Sequence, residues 1–231
     1  MTYYEGMPPR VAALPIDPQR GVPVSWFVHW LEDGKPEFRI IGPDKFNDAV
    51  RFSLCWVCGQ QRGRWGSFVL GPMCTVTRTT SEPACHLECA VYAATTCPFL
   101  VKPHMRRRDI SEEYPDAASP GLAIKRNPGV AAVWTTRDFK LFPDPQGRAL
   151  IEVGEPSEVL WFAEGRPATR AECLASIESG YPILDAECDK DKDPVDSRRV
   201  LAEMKRAAEV HLPKPGDTDA AQGMEKAREP T

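Results

Sequence analysis

Cys55-Trp56-Val57-Cys58-Gly59 is the segment of this 231-residue chain with the plainest chemistry. A Cys-x-x-Cys-Gly turn lets two thiolates converge on one ion, and the glycine permits the tight backbone such a turn needs. Two ligands make half of a tetrahedral set. His86-Leu87-Glu88-Cys89 supplies a second pair, three residues apart, which one face of a helix presents together. Cys55, Cys58, His86 and Cys89 thus form a Cys₃His set. Its four positions are filled, as in a structural zinc site, whereas a catalytic zinc keeps one position open for water. The expected cofactor is one structural Zn²⁺ per chain.

Spacing leaves other ligands open. Cys85 is four residues from Cys89, and Cys74 lies between the two pairs. A redox Cys-x-x-Cys usually opens a helix in a thioredoxin-like βαβ unit, whereas polar Gln60-Gln61-Arg62-Gly63 follows here. The bland alternative is a set of buried free thiols, because free cysteine behaves as a small hydrophobe. Cys97, Cys173 and Cys188 read as structural.

The cysteine block is also the basic part of an acidic chain. Residues 51–108 carry eight basic and two acidic side chains, against a net charge of −4 for the whole. Arg62, Arg64, Arg78, Arg106, Arg107 and Arg108 are candidate contacts to nucleic acid or to a partner protein, since guanidinium groups are planar and always charged. Trp56 and Trp65 are candidate stacking surfaces for bases. The competing reading is a solvated loop with core tryptophans, which the acidic whole favours. Catalysis is poorly provided for. Of four histidines, His86 is a proposed ligand, His29 alternates with core residues and His211 ends a helix. His104 is left, and with its neighbouring arginines it defines the alternative of a metal-assisted hydrolase or nuclease. The alternating acids Asp185, Glu187, Asp189, Asp191 and Asp193 lack the glycine and closing glutamate of an EF-hand loop and read as an exposed turn.

The elements that must position these residues follow from local pattern. Residues 1–22, with four prolines, predict an extended arm. Val24–Leu31 reads as a strand, Asp33-Gly34 as a hairpin turn and Phe38–Ile41 as the returning strand. Residues 44–52 predict a short helix. Ser67–Leu70 and Cys74–Thr77 read as two strands, and 84–96 as a helix. A knuckle, a hairpin and a helix carrying the last two ligands are the layout of a treble clef. Residues 109–128 read as a linker or long loop. Strands are then expected at 130–135, 149–153 and 159–162. Thr169-Arg170-Ala171-Glu172 is a capping box that starts a helix. Asp193-Pro194 opens a longer helix to about His211, and the polar residues 213–231 predict a disordered tail.

The expected organisation is therefore α+β: an arm (1–22), a zinc-binding α+β module (23–108), a linker (109–128), a C-terminal α+β region (129–212) and a tail (213–231). The two folded regions either stand apart or share one core. No apolar run reaches the ~18 residues of a membrane span. The first twenty residues lack the pattern of a secretory signal, so a reducing, cytosolic compartment is expected. Eight cysteines fit metal ligation there better than disulfides.

The strings Cys-Trp-Val-Cys-Gly, Gly-Pro-Met-Cys (71–74), Glu-Pro-Ala-Cys-His-Leu-Glu-Cys-Ala (82–90), Cys-Pro-Phe-Leu (97–100), Asn-Pro-Gly-Val (127–130) and Gly-Arg-Pro-Ala-Thr-Arg-Ala-Glu (165–172) together resemble a family of uncharacterised proteins from bacteriophages, prophages and other mobile elements of proteobacteria. The resemblance spans roughly residues 23–212 and carries no activity. It implies His86 rather than Cys85 as ligand, because the residue before the ligand histidine is often not cysteine in such sequences. It also implies a bacterial host cytoplasm.

Overall fold

A computed structural model describes residues 6–102, 120–121 and 129–214. At its centre is a four-stranded antiparallel sheet. Its strands are β5 (Gly66–Leu70), β7 (Ala131–Thr136), β10 (Glu158–Ala163) and β11 (Arg166–Pro167), in the order β11-β10-β7-β5. Ser67 pairs with Thr135 and Trp161 with Ala132, which fixes the register.

Successive side chains on these strands point to opposite faces. Val133, Leu160 and Phe162 face helix α4 (Leu87–Thr96) and the cysteine knuckle, in one core. Phe68, Leu70, Ala132, Trp134 and Trp161 face a second core. That core is closed by α3 (Pro72–Thr77), α6 (Arg170–Glu178), α7 (Tyr181–Cys188) and α8 (Pro194–Ala208). A second sheet, β6 (Thr79–Thr80), β9 (Ala149–Val153) and β8 (Phe139–Pro143), adds Ile151 and Val153 to it. The α+β class is as expected. Because β5 of the 23–108 region pairs with β7 of the 129–212 region, these regions are not separate domains: they share a sheet and both cores.

Much of the local reading matches. Gly34 (φ +77°) turns the chain between β3 (Val28–Trp30) and β4 (Pro36–Ile41). Helix α2 spans Lys45–Arg51. Thr169 Oγ1 accepts from the backbone N–H of Glu172, whose carboxylate accepts from the N–H of Thr169, so the capping box is formed.

Other expectations are corrected. The proline-rich start is not an extended arm. Pro9 occupies the first turn of α1 (Pro9–Ala12), where its missing N–H is harmless. β1 (Ile16–Asp17) and β2 (Val22–Pro23) then form a small hairpin. The buried Asp17 carboxylate accepts from the N–H of Gln19 and from Arg20 inside that turn. Val24–Leu31 is not one strand, since the chain turns between β2 and β3. Residues 74–77 are helix α3, not a strand. Pro72 starts that helix, and the hydroxyls of Thr75 and Thr77 bond back to carbonyls of its first turn. The hairpin expected between the ligand pairs is therefore absent: β5 pairs with β7, and it is joined to the start of the second ligand segment by the isolated bridge Ser67–Cys85.

The exposed acidic turn after Leu184 begins inside α7, with Pro182 tolerated in the first turn and Leu184 buried. Beyond it the acids are paired as surface charges are: Asp185 with Lys205, Glu187 with Lys190, Asp189 with Arg198. Most of the 109–128 linker and of the 213–231 tail lies outside the described residues.

Candidate metal centre

The first half of the site is a tight knuckle. The N–H of Gly59 bonds to the Cys55 carbonyl (2.8 Å), and the N–H of Cys55 to the Gln60 carbonyl (2.8 Å). Gly59 sits at φ +72°, and a Cβ there would lie 2.4 Å from the Trp26 ring. Glycine is thus required twice, for backbone and for space. Trp56, inside the knuckle, is buried and stacked on Phe27 with ring centroids 4.8 Å apart.

The second half is the start of α4. The helix begins at Leu87, so His86 is the N-cap and Cys89 lies in the first turn. The backbone N–H of His86 donates to Cys55 Sγ at 3.4 Å. Such N–H groups and the positive end of the helix dipole favour thiolate charge at this position.

One ligand atom from each of Cys55, Cys58, His86 and Cys89 brings four donors within 4.8 Å of one another. Cys58 Sγ is 3.4 Å and Cys89 Sγ 4.0 Å from His86 Nδ1. Zn–S bonds of ~2.3 Å and Zn–N bonds of ~2.0 Å in a tetrahedron separate ligand atoms by roughly 3.5–3.8 Å, so the four atoms are close enough to hold one ion. The far ring nitrogen of His86, Nε2, donates to the Gln61 carbonyl at 3.1 Å. That bond fixes the tautomer and aims the Nδ1 lone pair at the sulfurs, the usual support of a ligating histidine.

The crowding is visible in proton affinities. Hydrogen bonds from Cys58, Cys85 and Cys89 hold the Cys55 thiol far below its ordinary range. Cys55 and Cys58 push His86 up to about 10. Hydrogen bonding with Cys55 and Cys58 pushes Cys89 upward. Groups packed this closely compete for one negative charge, and a divalent cation removes that competition. Cys85 is buried and touches Cys55, but its backbone is committed to the bridge with Ser67 (3.0 and 2.8 Å), and its sulfur is not one of the four convergent atoms. Cys173 lies in the other core, its thiol pushed up to about 12 by burial.

Among the described residues, Arg62, Arg64 and Arg78 do not form one face. Arg62 is half-buried, its guanidinium fitted against Gly66 and donating to the Trp65 carbonyl at 3.3 Å. Burial lowers its proton affinity, and the Cys85 and Cys55 sulfurs raise it. Arg78 sits against the opposite core, paired with Glu155 and 5.6 Å from the Trp134 ring centroid. Arg64 is exposed. Arg106, Arg107, Arg108 and His104 lie outside the described residues. Buried Trp56 cannot stack on a base. Trp65 is 42% exposed, with the Arg137 guanidinium 4.2 Å over its ring, a neighbour absent from the sequence reading. The register pairs Gly66 with Thr136 and so sets Trp65 beside Arg137 at the end of the sheet.

Among the described residues no helix is long and apolar enough to cross a membrane. No family model, curated protein or solved structure matches the chain.

Proposed function

We propose that this is a zinc-binding protein of a phage or mobile element, in which the ion is structural and the protein acts by binding nucleic acid or a host protein in the bacterial cytoplasm. The observation that carries the metal reading is the convergence of four donor atoms from a knuckle and a helix start. Three sulfurs and an imidazole are the donor set that suits zinc. Cys55, Cys58, His86 and Cys89 would hold it. With all four positions taken by protein, the ion supplies scaffold and no Lewis-acid site for a substrate. The architecture is that of a treble clef reduced at its hairpin, where the bridge Ser67–Cys85 stands for the second strand.

Nucleic acid is favoured as partner by exposed Arg51, Arg64 and Arg137 and by the part-exposed Trp65 ring, together with the arginine run at 106–108 in the sequence. Elemental analysis of the purified chain should give one zinc, lost in Cys58→Ser and kept in Cys85→Ser. On immobilised DNA or RNA at low salt, retention should weaken as salt rises and in an Arg64→Ala/Arg137→Ala variant. Absence of retention leaves a protein partner.

A further inference from the structure

We infer that the segment 7–26 is a strap across the metal centre and that Arg10 latches it, so that Arg10 sets how fast the ion leaves. The inference rests on the zinc reading above. The strap runs along the knuckle. Trp26 N–H bonds to the Val57 carbonyl at 2.7 Å, and its ring fills the space beside Gly59. Val11, in α1, is buried in the same core as Cys55, Cys58 and Cys89.

Arg10 then spans the two ligand-bearing elements. Its Nε donates to Gln60 Oε1 at 3.2 Å, on the knuckle. Its Nη1 donates to Glu88 Oε1 at 2.7 Å, on the helix, between His86 and Cys89. A tetrahedral ion held half by the knuckle and half by the helix leaves only when those halves part. A single planar guanidinium bonded to both opposes that parting. The ion pair is partly exposed, at 38% for Arg10 and 21% for Glu88, so its equilibrium worth is small. Its effect falls on local opening, which small local terms govern.

The test is the rate at which zinc passes from the loaded full chain to an excess of a colorimetric chelator. Arg10→Ala should release zinc about fivefold faster, the factor that the upper range for such a pair allows. Glu88→Gln should do the same, and the double variant should be no faster than either. Arg10→Lys keeps the charge without the fork and should fall between. Added salt should speed release from the wild type but not from Arg10→Ala, because it screens the ion pair. Equal release from Arg10→Ala, additive effects of the two substitutions, or equal salt dependence overturns the latch. A chain that carries no zinc overturns the metal reading and the latch with it. A zinc-loaded chain with unchanged release overturns the latch alone.

Discussion

On one face of the central sheet, Val133, Leu160 and Phe162 meet helix α4 and a knot of cysteines. On the other, Phe68, Trp134 and Trp161 meet four helices and a second sheet. The second face closes by bulk: Trp134 and Phe68 are among the largest fully buried side chains, and Trp161 Nε1 ties down the turn Glu209–His211 through the His211 carbonyl at 2.8 Å. The metal face buries Phe162 and Trp56 as well, and to them it adds the donors Cys55, Cys58, His86 and Cys89. One sheet thus serves two cores of different chemistry, and each should fail under a different insult.

The largest expected effect that separates them is on the bulky side. Phe68→Ala removes a fully buried ring and should destabilise the fold by about 3–5 kcal/mol. Chemical denaturation read alongside zinc content should show a lowered midpoint and still one zinc per folded chain. Zinc lost from the folded variant would mean that the faces are not independent.

A smaller effect sharpens the same contrast through pH. His211 Nε2 is 3.5 Å from Arg78, and the ring packs on Trp134. Burial, and then the Arg78 charge, lower its proton affinity below the usual 6.5, with Glu155 opposing. The folded ring holds a proton less tightly than the unfolded one. Its contribution is therefore complete above pH 6.5 and declines as pH falls below it. Amide exchange at 209–212 should quicken in mildly acidic solution ahead of exchange at 87–96, and His211→Gln should abolish the difference.

How much of this was legible depended on distance along the chain. The knuckle, the Asp33-Gly34 turn and the Thr169–Glu172 box are local devices whose residues specify their own backbone, and they read correctly. Residues 74–77 misled because Thr-Val-Thr suits a strand, while Pro72 and two back-bonding hydroxyls settle a helix. The β5–β7 pairing joins residues 68 apart in the chain, as in the Ser67–Thr135 hydroxyl contact, and no local pattern announces it. The same holds for Arg10, which looks like one charge in a proline-rich start until the fold sets it between Gln60 and Glu88. Arg62 and Arg78 read alike as candidate contacts to nucleic acid or a partner protein, yet one is half-buried against Gly66 and the other lies against Trp134 and Glu155.

The proposed function turns on three thiolates and one imidazole holding a single structural ion on the metal face. Cobalt(II) added to the metal-stripped chain tests this most directly, because its absorption reports both geometry and the number of bound sulfurs. Saturation should come at one equivalent, with a tetrahedral spectrum of three thiolate contacts that is unchanged in Cys85→Ser, and amide protection at 53–62 and 86–89 should recover as the metal binds. A stripped chain already protected there, or a spectrum that loses a sulfur when Cys85 is replaced, would contradict it.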